Sequence, residues 1–151
     1  MTTSETAGWS IGGLVIAVRD LERSVAFYED VTGAREVMRD EQVVLLERDG
    51  ALRLYLRGSH GQGRREGREA LGPRVVSFDV GSTSELDQVE ERLRAHGSFR
   101  TRQSLSLHED LEVVFGFDPD RLALTFATPP TGRPEASDRE RSLEAIYSAD
   151  A

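Results

Sequence analysis

The groups best suited to move protons near neutral pH are three histidines, and their settings differ. His60 falls in a glycine- and arginine-rich run, GSHGQGRREGREALG, and His96 at the end of a helical stripe, so both read as surface residues. His108 stands in SLSLHEDLEVV, just before an apolar strand, where it or Glu109 could serve as a base. A solvated loop tip is the competing reading. There is no cysteine, hence no thiol nucleophile, thiolate ligand or disulfide. No G-x-S-x-G elbow offers an activated serine. The glycine-arginine run lacks G-x-x-x-x-G-K-[ST] spacing and carries no lysine, so it reads as a loop instead of a phosphate cradle.

Bulk properties narrow the classes further. The chain of 151 residues carries a formal net charge of −8, which disfavours non-specific binding to nucleic acid or an anionic membrane. No apolar run approaches the roughly 20 residues needed to span a bilayer. The start, MTTSETAGWS, has neither a basic leader nor an apolar core, so a cytoplasmic protein is expected.

The elements that must position any site follow from periodicity. Leu14 to Val18 reads as a short buried strand, and Asp20 as the N-cap of a helix. Leu21, Val25 and Tyr28 share one face of that helix, with Phe27 beside them, and Gly33 ends it. Three strands are expected next, Ala34 to Arg39, Val43 to Arg48 and Leu52 to Arg57, with Asp49-Gly50 as the hairpin turn. The same order then returns. Val75 to Val80 is a strand, Ser82-x-x-Glu85 a capping box, and Leu86, Val89 and Leu93 a second stripe ending at Gly97. Strands at Ser98 to Gln103, Leu111 to Phe117 and Leu122 to Ala127 complete it, the last two joined by Asp118-Pro119-Asp120-Arg121.

The fold class is therefore α+β: two βαβββ modules offset by about 62 residues, from Asp20 to Ser82. The expected organisation is a disordered N-terminus over residues 1–10, a first module over 11–57, and a glycine-arginine loop over 58–72. A second module over 73–128 and a polar, proline-rich tail over 129–151 with a possible short helix follow.

Two motifs within this repeat resemble those of the vicinal oxygen chelate superfamily of glyoxalases, bleomycin-resistance proteins and extradiol dioxygenases. VRDLERSVAFYEDVTG is similar to the family's V-x-D-L-x-x-S-x-x-F-Y-x-x-x-L-G, and FGFDPDRLALTF to its F-x-D-P-D-G-N-x-I-E-L. The resemblance spans about residues 11 to 128. It implies mixed sheets curled into a cup with helices behind, and a homodimer in which two chains share each cup. It also implies that the metal-binding histidines and glutamates of relatives fall at Gly13, Arg53, Val75 and Thr125. None of these is a normal divalent-metal ligand, since such ions want imidazole or carboxylate. No metal and no cofactor are therefore expected.

Strand alternation then gives the cup lining. Gly13, Val15 and Ala17 would face inward, as would Arg53, Tyr55, Val75, Ser77, Asp79, Ala123, Thr125 and Ala127, with Arg57 a further candidate at the end of its strand. Most are small, which is the condition for a cavity that holds a ligand. A buried Arg53 would need an anionic partner. Three readings stay open: Arg53 pairs with Asp79 or Glu112 and closes the old metal site, Arg53 and Tyr55 hold an oxygen-rich ligand, or Arg53 is exposed to solvent.

The candidate ligand-binding residues are Gly13, Arg53, Tyr55, Val75, Ser77, Asp79 and Thr125, and the candidate catalytic groups are His108 and Tyr55. The leading expectation is a metal-independent protein that sequesters or carries a small organic molecule. The alternatives are a metal-free isomerase or cyclase acting on a small polyketide-like intermediate, and an interaction subunit with a vestigial cup.

Overall fold

The computed structural model of the chain describes residues 11–59, 75–104 and 112–128. His60, His108 and Glu109 lie outside the described residues, as do most of the glycine-arginine loop and the tail.

The first module runs β1 (Leu14–Val18), α1 (Leu21–Thr32), β2 (Arg35–Arg39), β3 (Val43–Arg48) and β4 (Leu52–Gly58). The second repeats it as β5 (Val75–Asp79), α2 (Thr83–Ala95), β6 (Phe99–Ser104), β7 (Glu112–Phe117) and β8 (Ala123–Ala127). Each module forms a four-stranded sheet, ordered β1-β4-β3-β2 and β5-β8-β7-β6. In both, the first strand lies parallel to the last while the hairpin pairs are antiparallel.

Local chemistry sets the boundaries. Asp20 caps α1, its side chain accepting from the Arg23 N–H at 3.1 Å, and Gly33 ends the helix with φ 74°. Ser82 caps α2 in the same way, accepting from the Glu85 N–H at 3.2 Å. Such caps stabilise a helix start by about 1 kcal/mol. Between β3 and β4, Asp49 and Gly50 both have positive φ (52° and 67°), the backbone a tight hairpin requires.

Alternation along the strands sends one face to the helices. Ile16, Val18, Leu54, Leu56, Val44 and Leu46 bury against Val25, Phe27, Tyr28 and Val31 of α1. Leu86, Val89 and Leu93 of α2, with Val114, Leu124 and Phe126, extend the same core through the second module. Polar contacts tie the two halves together. The Tyr28 hydroxyl donates to Asp118 Oδ2 at 2.8 Å, and the Arg19 N–H to Asp120 at 3.1 Å. Arg48 reaches Glu85 at 3.3 Å, and His96 meets Asp30 at 2.7 Å. These contacts leave the opposite faces of the sheets to carry any site.

Candidate functional site: the open face of the first sheet

On the first sheet, the side chains turned away from the helices form three transverse rows, set by the strand registers. Ala17, Arg57 and Val43 make one row; Val15, Tyr55, Leu45 and Met38 the next; Arg53, Glu47 and Arg35 the third. The middle row is an apolar belt with exposed ends, Val15 and Met38 each being 65% exposed. Leu45, the cross-strand partner of Tyr55, is buried.

Gly13 lies directly before β1, under the Tyr55 ring. A Cβ added there would sit 2.7 Å from Tyr55 Cε2 and 3.4 Å from Arg53 Cδ. The space a larger residue would need is already taken.

Of the three readings of Arg53, pairing with Asp79 or Glu112 does not occur, and the side chain is exposed. Its exposure is 45%, and its Nε donates to Glu47 Oε1 at 3.0 Å. Residues 47 and 53 are register partners across the β3–β4 hairpin, so the nearest carboxylate wins. The Asp49-Gly50 turn was the signal that could have identified Glu47, since a tight hairpin fixes which residues face each other. Glu112 is engaged elsewhere, with Arg102.

The second sheet differs. Val113, Phe115 and Ala127 form a separate buried apolar cluster on the face away from α2. Thr125 is buried among them, its hydroxyl sharing a 2.6 Å hydrogen bond with Ser77 Oγ. Ser77 and Asp79 are exposed and Val75 is half-buried. On this half the large side chains Val113 and Phe115 of β7 share the face with the small residues Ala123, Thr125 and Ala127. The candidate residues thus divide into two sets. Gly13, Arg53 and Tyr55 meet on one sheet, while Val75, Ser77, Asp79 and Thr125 lie on the other.

The residues at the four inferred metal positions do not fit a divalent ion. Gly13 has no side chain and a ring above it, Arg53 is cationic and bonded to Glu47, Val75 is apolar, and the Thr125 hydroxyl is bonded to Ser77. Among the described residues, no three His, Cys, Asp or Glu side chains come together in a way that could hold a metal ion.

Near the β2–β3 turn the open face ends in a depression of about 510 Å³ lined by Asp40, Glu41, Gln42, Val43 and Arg57. Asp40 shapes it, Oδ1 accepting from the Gln42 and Val43 N–H groups at 2.9 and 2.8 Å. Those bonds hold its carboxyl below the ordinary range, so it stays ionised.

A family model described as the Glyoxalase/Bleomycin resistance protein/Dioxygenase superfamily matches residues 10–133. Among solved structures, the chain is similar to a glyoxylase/bleomycin resistance protein/dioxygenase domain from Frankia sp. EAN1pec. That match is 26% identical, covers 84% of this chain and 96% of that one, and has a TM-score of 0.72. The fosfomycin resistance protein FosX from Mesorhizobium loti is 17% identical over 87% of this chain and 97% of that one, with a TM-score of 0.63. A lactoylglutathione lyase from Agrobacterium tumefaciens is 19% identical over 81% and 95%, with a TM-score of 0.61. At such identities the last two speak for the fold alone. No curated protein sequence matches the chain. No helix among the described residues is long and apolar enough to cross a membrane.

Proposed function

The chain belongs to the Glyoxalase/Bleomycin resistance protein/Dioxygenase superfamily, and from that premise we propose that it binds a small organic molecule on the open face of its first sheet without using a metal ion. The observation that carries this reading is the Tyr55 ring over Gly13, 2.7 Å from where a side chain would begin. A side chain at this position would have to displace the ring, and the group that occupies the space is an aromatic ring suited to an organic guest. Arg53, bonded to Glu47, adds a polar edge to the same surface.

The protein sequesters or carries its ligand as a cytoplasmic homodimer, the arrangement the family resemblance implies. Its net charge of −8 argues against nucleic acid as a partner.

Native mass spectrometry of protein purified from its own host tests the reading. A co-purified organic molecule, lost in a Tyr55→Ala variant, is the expected result. A stoichiometric divalent ion located by anomalous scattering at residues 13, 53, 75 and 125 would refute it.

A further inference from the structure

Resting on that reading, we propose that the guest of the first sheet is an apolar organic monoanion, a carboxylate or phenolate on an aromatic or aliphatic body, with Arg57 as its counter-charge.

The two arginines on this face are not equivalent. Arg53 is already neutralised by Glu47 at 3.0 Å. The Arg57 side chain makes no hydrogen bond or ion pair among the described residues, and neither does the Tyr55 hydroxyl. An uncommitted guanidinium and an uncommitted phenol thus stand in adjacent rows of one strand, two residues and about 6.5 Å apart along the backbone. Beside them the apolar belt crosses four strands, from Val15 through Tyr55 and Leu45 to Met38, roughly 14 Å in all. A flat or branched hydrocarbon body covers the belt, removing the exposed Val15 and Met38 surfaces from water. Its acidic end then reaches Arg57 one row away.

The number of charges follows from the far wall. Asp40, held ionised by the Gln42 and Val43 amides, and Glu41 share the depression with Arg57. One negative charge is balanced by Arg57, whereas a dianion such as a phosphate monoester would meet two carboxylates in a protein of net charge −8. On the second sheet the corresponding apolar residues Val113, Phe115 and Ala127 are buried, whereas Val15 and Met38 of the first are exposed.

Isothermal titration at low ionic strength with 2-naphthoate and its neutral analogue 2-naphthalenemethanol tests this. The naphthoate is expected to bind about tenfold more tightly, with a preference that salt weakens. Arg57→Gln should bring the two probes within about twofold while leaving the alcohol unchanged. Arg23→Gln, the same charge change on α1, should keep the preference. Val15→Glu should abolish binding of both probes.

Equal affinities in the parent protein would overturn the anion inference while leaving the binding reading intact. No heat from either probe would also overturn it, and co-purification would then decide the binding reading by itself. A dimer that Met38→Glu converts to monomer, with no probe bound, would assign the belt to a second copy and overturn the inference as well.

Discussion

The hydroxyl of Tyr28, on the first helix, donates to Asp118 Oδ2 at 2.8 Å, in the turn that leads into the last strand. Both residues are fully buried and lie 90 positions apart in the chain. The bond therefore exists only when the two modules are docked. The same carboxylate accepts from the Asp120 and Leu122 N–H groups, each at 2.8 Å, so one side chain both shapes a turn and joins two halves. Tyr28→Phe leaves Asp118 Oδ2 buried with a lost donor, and should cost about 1–3 kcal/mol. Urea unfolding reads this as a lower midpoint with unchanged slope. An unshifted midpoint would show that the docking does not depend on this bond.

Burial holds the Asp118 carboxyl above the ordinary carboxylate range, against opposing hydrogen bonds from the Leu122 N–H, the Tyr28 hydroxyl and the Asp120 N–H. The folded protein thus holds this proton more tightly than the unfolded chain. The resulting stability is full below about pH 4 and is lost as pH rises through the raised value. Asp118→Asn removes the titration while keeping an acceptor for the two amides. The variant should therefore gain on the parent in thermal melts as pH rises from about 4 through the raised value. Parallel melting curves for the two proteins would contradict the assignment.

Asp40 carries the opposite sign. The Gln42 and Val43 amides lower its carboxyl, so its contribution is present above the ordinary range and is lost as pH falls through the lowered value. Asp40→Ala should be less stable than the parent at neutral pH, with the difference closing in acid. A deficit of constant size would mean that the side chain acts through something other than its charge.

Gly13 and Tyr55 are coupled by contact. Gly13→Ala places a Cβ 2.7 Å from the ring edge, which must swing aside, at a cost of about 1 kcal/mol. Combining it with Tyr55→Ala should remove that cost, a non-additivity that a double-mutant cycle measures directly. Simple additivity would show that the ring does not fill this space.

Gly116 meets backbone instead. A Cβ there would lie 2.6 Å from the Ser98 carbonyl oxygen and 3.0 Å from Leu93 Cδ1. That carbonyl accepts from the Phe117 N–H at 3.0 Å, so it cannot retreat without breaking a bond. Gly116→Ala should cost about 1–3 kcal/mol, more than Gly13→Ala, because a ring edge yields more readily than a carbonyl. Chemical denaturation of the two variants side by side gives the order, and a reversed order would defeat the argument.

The strands, both helices with their Asp20 and Ser82 caps, and the doubled βαβββ order were legible in the sequence because they depend on neighbours a few residues away. Strand alternation likewise told Val15 and Tyr55 apart from Ile16 and Leu54. The Glu47–Arg53 pair was within reach through the Asp49-Gly50 turn, which fixes the two residues as cross-strand partners. Other features depend on contacts between distant segments. Only packing decided that Val113 and Phe115 on the second sheet's outer face are buried while Val15 and Met38 on the first sheet's are exposed. Only packing leaves Arg57 uncommitted, brings the Tyr55 ring over Gly13, and sets Asp118 against Tyr28. Alternation assigns a side chain to a face, but what covers that face is settled by side chains that meet across the fold.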